Sequence, residues 1–191
     1  RVMEVLLSAV SPMQLMFGKI IGQMAVGIII LIVYGGMGIA GLLTFALMDL
    51  LEPIKLVYFV CFFLISFLTI ASIMAAVGSA VNDMREAQTL QAPIIMLVMA
   101  PFFIWSFVQR APNSPLAVAL SFTPLVNPFT MIIRLGGSEP IPTWQVLVSI
   151  LVGAATAAFM VWAAAKIFRI GVLMYGKPPN FATLIRWIRM A

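Results

Sequence analysis

The sequence predicts an all-α integral membrane protein with four transmembrane helices, a short cytoplasmic helix at the N-terminus and a re-entrant external helical element before the last span. Hydrophobic residues make up 63% of the 191 residues and charged residues only 9%, whereas a soluble domain has about a quarter charged residues. The charge-free residues also form long runs, and about 18 or more such residues can cross a bilayer. Residues 1–191 are therefore interpreted as a single transmembrane domain.

The first helix boundary is predicted inside the stretch SAVSPMQLMFGK, residues 8–19. Ser11 can cap a helix, Pro12 suits the first helical position and Gln14 stands three residues after the cap, so a fresh helix is expected to begin at Pro12. The residues before it then form a separate short cytoplasmic element. A partner gripping this element would move the helix behind it; the alternative is an interfacial helix that only anchors the protein.

Four spans are predicted at residues 20–48, 56–81, 92–109 and 144–168. The first three are charge-free runs, and the fourth contains the charge-free run 144–165. The first is longer than the roughly 30 Å hydrocarbon core requires, so it must tilt or project beyond the bilayer. In the second, small residues recur at a spacing of four, which indicates a packed helix–helix face. The third is the shortest and carries Pro93 and Pro101.

The loop at residues 82–91 contains a second capping signal. Asp83 precedes Glu86 by three residues, with Arg85 between them, and this spacing predicts a helix start. The pattern fits a plain helix start and also a regulatory contact.

Residues 110–143, between the third and fourth spans, are apolar in the middle but broken at Pro115, Pro124 and Pro128. They are predicted to form an external re-entrant loop with one or two short helices that enter the membrane part-way and return. Non-helical backbone at that depth must be covered by protein or water. The alternative is a fifth span over residues 116–133. Two prolines and an asparagine near the centre of this stretch argue against it.

The basic residues set the orientation. With four spans, most of the eleven Lys and Arg residues fall on the side that holds both ends of the chain, and the positive-inside rule assigns that side to the cytoplasm. A fifth span would weaken this split. The tail at residues 169–191 is expected to lie on the inner leaflet as an amphipathic helix, and Arg134 to anchor the outer interface. The net charge of +5 then reflects the orientation of the chain in the membrane and does not indicate nucleic-acid binding.

The residue types missing from the sequence narrow its chemistry. Histidine is absent, and residues 20–48, 56–81, 92–109 and 144–165 contain no charged residue, which disfavours a proton-coupled transporter and an intramembrane hydrolase. The single cysteine, Cys61, excludes a disulfide framework within the chain, and no glycine-rich loop ends in Lys-Ser or Lys-Thr to hold ATP. No catalytic, cofactor-binding or metal-binding residue is therefore expected. Such a protein is a passive pore, a scaffold or a subunit driven by a partner.

Four stretches carry a family resemblance, and they are EVLLSAVSPMQLMFGKIIG, AVGSAVNDMREAQTLQAPI, LSFTPLVNPFTMIIR and AAAKIFRIGVLMYGKPPN. In this order they resemble ABC transporter permeases of the ABC-2 type, especially the subgroup similar to the sodium-efflux permease NatB. A complete permease of that family has six spans, with a large external domain between the first two. The resemblance implies that this chain is the C-terminal four-span portion of a longer permease, which agrees with its start at Arg1.

The resemblance also assigns roles to three segments. Within the coupling helix region, residues 1–17, the segment from Glu4 to Pro12 would be the coupling element that docks on a cytosolic ATPase subunit. The candidate ATPase-coupling residues are Glu4, Leu6, Leu7, Val10, Ser11, Pro12 and Gln14. Residues 82–91 would be the second cytoplasmic loop, with the candidates Asp83, Arg85 and Glu86. Residues 114–135 would be the external re-entrant element, with the candidates Pro124, Asn127, Pro128 and Arg134.

The function implied by the resemblance is that of a permease subunit of an ATP-binding-cassette exporter in a prokaryotic plasma membrane, and not of an enzyme. A partner ATPase would hold ATP and Mg²⁺, a second permease half (the same chain or a different one) would complete the path, and substrate would move outward by alternating access. The cargo stays open between sodium and a lipid-like or drug-like amphipath. The competing hypothesis is a passive pore or membrane scaffold without an ATPase, and the missing histidine disfavours a membrane enzyme.

Overall fold

The computed structural model describes residues 10, 12–44, 52–81, 83–137 and 139–171. Within these ranges the protein is all-helical, and its helices are α1 (Pro12–Thr44), α2 (Pro53–Ala80), α3 (Met84–Phe103), α4 (Trp105–Arg110), α5 (Pro115–Ser121), α6 (Asn127–Leu135) and α7 (Thr143–Gly171). The all-α class predicted from the sequence is thus confirmed for the described residues.

Three of the described helices are long and apolar enough to cross a membrane, and they are Gln14–Thr44 within α1, Pro53–Ala80 and Thr143–Arg169 within α7. They overlap the first, second and fourth predicted spans, and residues 45–48 of the first lie outside the described residues. α1 also begins at Pro12, the residue that the capping signal singles out. Several apolar helices of this length are the mark of a multi-pass membrane protein.

The third predicted span, residues 92–109, is divided between α3 and α4. The break falls at Ile104, whose φ of −113° and ψ of 13° leave the helical region. It follows shortly after Pro101, which has no backbone N–H to donate within α3. α3 also opens with a stretch rich in polar residues, from Arg85 to Gln91, so it is less apolar than the three candidate spans. A fourth span therefore stays a prediction.

The helices meet in two clusters of buried apolar side chains. The α1-side cluster contains Met16, Ile20, Ala76, Val77, Ala80, Leu90, Ala164, Ala165, Ile167 and Phe168. The hairpin-side cluster contains Phe62, Ile65, Met131, Val146 and Ala157. α2 and α7 contribute residues near their C-terminal ends to the first cluster and earlier residues to the second, so these two helices run parallel.

The small residues of α2 that recur at a spacing of four form two rows, one from Ala71 to Ser79 and one from Ser72 to Ala80, and the predicted packed face is confirmed for the second. Ser72, Ala76 and Ala80 are buried, and Ala76 and Ala80 pack in the same cluster as Ala164 of α7. Small side chains at such a contact let two helix backbones approach closely. The other row, which includes Ala71, is half-buried.

The segment between α4 and α7 contains a helical hairpin, defined as α5, α6 and the turn at residues 122–126 between them. Leu125 in this turn has a φ of 71°, which no continuous helix accommodates. Pro128 lies in the first turn of α6, where a missing N–H leaves no hydrogen bond unmade. The two short helices match the sequence prediction, and no continuous helix covers residues 116–133.

Candidate functional site

Arg134, near the end of α6, is the centre of a buried hydrogen-bond network. Its side chain is 0% exposed. Nε donates to the Pro112 carbonyl oxygen at 2.6 Å, and Nη1 donates to Ser121 Oγ at 2.9 Å. Nη2 donates to Gln145 Oε1 at 2.6 Å and, at 3.5 Å, to Asn113 Oδ1. One guanidinium therefore ties α6 to the loop after α4, to α5 and to α7.

The acceptors around Arg134 are neutral, so in the described part of the chain its charge is stabilised by hydrogen bonds without an ion pair. A carboxylate is linked to it only indirectly, because Asn113 Nδ2 donates to Glu139 Oε2 at 2.9 Å. Burial lowers the pKa of Arg134 from its ordinary value, but a guanidinium stays protonated in proteins. Removing one acceptor would leave a buried cation short of partners, which is costly.

The buried position of Arg134 does not fit the expectation that this residue anchors the outer membrane interface. An anchoring arginine keeps its guanidinium among lipid head groups and water, whereas this one is enclosed by the hairpin and α7. The physical reason is that oxygens from several segments converge on its planar set of N–H donors. Arg134 thus organises the hairpin instead of anchoring it.

Asn127, at the start of α6, extends the network toward the middle of α7. Its side chain is 1% exposed, and Nδ2 donates to the Ser149 carbonyl oxygen at 2.8 Å. Ser149 Oγ in turn donates to the Ser121 carbonyl oxygen at 2.9 Å. Asn127 Oδ1 is buried and has no hydrogen-bond partner among the described residues. The site is tight, because a Cβ added at Gly153 would lie 2.9 Å from Ile65 Cγ2 and 3.0 Å from Asn127 Nδ2.

The structure brings together three of the four residues predicted for the external element. Asn127, Pro128 and Arg134 are buried in α6, whereas Pro124 is exposed in the turn of the hairpin. Only two of them, Asn127 and Arg134, take part in the polar network.

The sequence prediction missed the partners of these residues on α7. Gln145 and Ser149 bind Arg134 and Asn127, and Gly153 leaves room for the asparagine amide. These α7 residues recur at a spacing of four, so they line one face of the helix. That periodicity, at the start of an otherwise apolar run, is the signal that could have identified them.

The second predicted cytoplasmic loop contains a helix start, as expected. Asp83 caps α3, and its Oδ1 accepts a hydrogen bond from the Arg85 backbone N–H at 3.4 Å. Glu86 lies in the first turn, where a negative charge favours the helix dipole. Leu90 of α3 packs in the same cluster as Met16 of α1, so α3 and α1 begin at the same end of the molecule. A regulatory contact of this loop stays a prediction.

Four of the predicted coupling residues lie outside the described residues, and they are Glu4, Leu6, Leu7 and Ser11. Val10 is 37% exposed, Pro12 opens α1 and Gln14 is exposed in its first turn. Met16, only a few residues further, is fully buried in the α1-side cluster. α1 is therefore fixed to the rest of the protein directly after the predicted coupling segment.

A cavity of about 530 Å³, named here the α1–α2 cavity, lies between α1 and α2. This volume is typical of small-molecule sites. Its apolar lining consists of Ile20, Phe63, Phe67, Ile70, Ala71, Met74, Ala75 and Phe129. Its polar lining consists of Lys19, Gln23 and Ser66, so Lys19 is the one charged residue among the described residues of the wall.

α1 closes on α2 just beyond this cavity. At Gly27, about one turn after Gln23, an added Cβ would lie 2.6 Å from Phe67 Cε2. Further along α1, all residues from 32 to 40 are exposed. Among the described residues, α1 thus contacts its neighbours before and directly after the cavity and then diverges from them.

Comparison with known proteins gives one family and two relatives. The sequence pattern of the family described as ABC-2 family transporter protein matches residues 1–166. The chain is 32% identical over 203 residues to the uncharacterized protein YhaP of Bacillus subtilis, covering 100% of this chain and 48% of that protein. It is 26% identical over 188 residues to the uncharacterized protein MJ1024 of Methanocaldococcus jannaschii, covering 98% of this chain and 46% of that protein.

The chain spans about half the length of the curated relatives it matches. No solved structure matches it significantly.

Proposed function

Because this chain belongs to the ABC-2 family of transporter proteins, we propose that it is part of the permease subunit of an ATP-binding-cassette exporter. The observation that carries the proposal is the family match over residues 1–166, which includes the predicted coupling segment and most of α7. A separate cytosolic ATPase subunit binds ATP and Mg²⁺, and two permease halves line the path. Substrate then moves outward because nucleotide binding biases two states that open to opposite faces.

The location proposed for the protein is a prokaryotic plasma membrane, with both ends of this segment in the cytoplasm. Relatives from a bacterium and an archaeon support the prokaryotic setting, and the distribution of basic residues supports the orientation. The four matching sequence stretches support a place in the NatB-like subgroup. The cargo is a separate question.

A fourth span formed by α3 and α4 is supported by where the ends of this pair lie. Leu90 of α3 packs in the α1-side cluster, which also holds the C-terminal end of α7. Pro112, directly after α4, binds Arg134 next to Gln145 at the start of α7. α3 and α4 therefore lead from one end of the last candidate span to the other, with a short interruption at Ile104.

A re-entrant position of the hairpin is supported by its contacts along α7. Arg134, at the end of α6, binds Gln145, whereas Asn127, at its start, lies against Ser149 and Gly153. The stretch from Gln145 to Gly153 corresponds to about 12 Å of helix. The hairpin thus reaches part of the way along a helix that crosses a hydrocarbon core of about 30 Å.

α1 is the element through which the ATPase would act. In this proposal Glu4, Leu6 and Leu7 contact the nucleotide-binding subunit, and the Ser11–Pro12 step joins them to a helix that is continuous to Thr44. α1 is held at Met16 and approaches α2 again at Gly27. A push on the coupling segment would therefore tilt α1 against α2 and change the cavity between them.

Co-purification tests the proposed function. The tagged full-length permease, extracted from native membranes in mild detergent, should bring down a subunit that hydrolyses ATP. Glu4→Ala should lower the stimulation of ATP hydrolysis by the permease several-fold. Lys55→Ala, at the end of α2 that lies away from the start of α1, should leave this stimulation unchanged. If no ATPase is captured, the protein acts as a pore or scaffold; if Glu4→Ala stimulates normally, the coupling segment is assigned wrongly.

A further inference from the structure

The α1–α2 cavity has the composition of a site for an amphipathic anion, and we propose that a molecule with one anionic head group and one hydrocarbon tail binds there. This inference rests on the proposed permease function and names the class of its cargo. It depends on three features of the cavity, which are its charged end, its apolar wall and its contact with the hairpin.

The charged end of the cavity is at Lys19. This side chain is exposed, and it is the one charged group of the wall among the described residues. Gln23 follows four residues later, so both side chains project from the same face of α1. An ammonium group attracts a carboxylate or phosphate, and the neighbouring amide can bind a second oxygen of the same head group. The head group of the ligand is therefore placed at the Lys19 end.

The remainder of the cavity suits a tail. Phe63, Phe67 and Met74 line it, and aromatic rings and a flexible thioether provide large and adaptable contact surfaces. Ser66 already donates its hydroxyl hydrogen to the Phe63 carbonyl oxygen at 3.0 Å, so it adds little polarity. Since lipid surrounds the protein, a tail gains no hydrophobic free energy here; selectivity comes from the fit and from the charge at Lys19.

The same features disfavour sodium as the occupant. Lys19 repels a cation at the charged end, and the oxygen atoms of the lining side chains come from Gln23 and Ser66 alone among the described residues. Hard cations instead prefer several oxygen ligands, including carboxylates. No group of three or more His, Cys, Asp or Glu side chains that could hold a metal ion occurs in the described part of the chain. Of the two cargo classes, the cavity therefore favours the amphipath.

The cavity also contacts the hairpin. Phe129 of α6 lines it, two residues after Asn127 and five residues before Arg134. A tail that packs against Phe129 would touch the element whose two ends are fixed to α7 by Asn127 and Arg134. Ligand binding and the position of the hairpin are thereby linked through one short helix.

Photolabelling tests the proposal. The full-length permease is placed in lipid nanodiscs with any ATPase that co-purifies, and it is labelled with a diazirine-bearing palmitic acid or with the matching palmityl alcohol. The acid should label peptides of the cavity wall, residues 63–75, about fivefold more than the alcohol, as expected for one partly exposed ion pair. Unlabelled palmitic acid should compete with the probe.

Matched variants separate charge from shape. Lys19→Gln should lower labelling by the acid to the level of the alcohol, and Lys19→Arg should preserve it. Arg169→Gln removes an exposed charge from the C-terminal end of α7 and should change nothing. Ala75→Phe fills the cavity and should lower labelling by both probes, whereas Ala25→Phe, at an exposed position outside the cavity wall, should not.

Two outcomes would overturn the proposal. Equal labelling by acid and alcohol that Lys19→Gln does not alter would mean that bulk lipid fills the cavity. Complete absence of labelling at residues 63–75 would mean that another helix covers it. Either result in a preparation with active ATPase refutes the proposed class of cargo and leaves the permease function intact. Labelling in a preparation without any ATPase would instead confirm the binding site and refute the permease function.

Discussion

Gln145 accepts a 2.6 Å hydrogen bond from Arg134 Nη2, and this contact joins the end of the hairpin to the start of the last candidate span. The acceptor is a neutral amide and the donor is a fully buried guanidinium. A buried charge held by neutral groups loses stability when one of its hydrogen bonds is broken. The contact therefore favours one position of the hairpin on α7.

We expect Arg134→Ala to lower the free energy of unfolding by about 2–4 kcal/mol, because it leaves the Pro112 carbonyl and the Gln145 amide unpaired inside the protein. Arg134→Lys should recover little of this loss, since one ammonium group cannot reproduce a planar fork that reaches three segments. Lys55→Ala is the control: it breaks an exposed 3.0 Å ion pair with Glu52 at the start of α2 and should cost under about 1 kcal/mol. Thermal unfolding of the purified protein measures all three, and equal effects of Arg134→Ala and Lys55→Ala would contradict the network.

Local signals explain which parts of this fold the sequence could predict. Pro12 opens α1 and Asp83 caps α3, as expected, because each start is set by residues within one turn. The three apolar runs that form candidate spans are equally local. The division at Ile104 was missed because Pro101 marks a weakness in the helix without fixing where it breaks.

The buried network could not be predicted in the same way. Arg134 finds its acceptors 11 to 22 residues away in sequence, and no local pattern states which distant oxygens will surround it. An arginine beside an apolar segment is ordinarily placed at an interface, and that expectation failed because tertiary contacts enclosed the charge. The family resemblance names Asn127 as a candidate, but its partner Ser149 follows only from the packing of α6 on α7.

We expect Gly153→Ala to destabilise the protein by about 1–3 kcal/mol through overpacking. The new Cβ would lie 2.9 Å from Ile65 Cγ2 and 3.0 Å from Asn127 Nδ2, so the asparagine amide would be displaced from Ser149. Gly78→Ala is the matched control, because nothing lies within 4 Å of the added carbon in α2. It should stabilise by up to about 1 kcal/mol through helix propensity. Melting temperatures that move in the same direction for both variants would refute the close packing at Gly153.

We expect Gly27→Leu to separate α1 from α2 at the far side of the cavity. The Phe67 ring lies 2.6 Å from the added Cβ and must move, so the free energy of unfolding should fall by about 1–3 kcal/mol. Gly35→Leu serves as the control, because its Cβ meets no atom within 4 Å. If α1 transmits the push of the ATPase, Gly27→Leu should also reduce ATP-dependent uptake of a lipophilic anionic dye by inside-out vesicles. Unchanged melting and uptake would show that the two helices do not depend on this contact.

We expect single-cysteine labelling to place Met84 and Pro140 on opposite sides of the membrane. Cys61→Ser removes the one cysteine of these 191 residues, and any cysteine elsewhere in the full-length protein is replaced as well. Met84, at 75% exposure, and Pro140 are both accessible. Since α3 and α4 lead between the two ends of α7, an impermeant maleimide should label Pro140→Cys in intact cells and Met84→Cys only after permeabilisation. Pro124→Cys, at the tip of a re-entrant hairpin, should react more slowly than Pro140→Cys from the outside and more slowly than Met84→Cys after permeabilisation. If both Met84→Cys and Pro140→Cys are labelled from the inside alone, there are two explanations: either α3 and α4 do not cross the membrane, or residues 116–133 cross it as well. Labelling of Arg110→Cys from the outside would identify the second explanation.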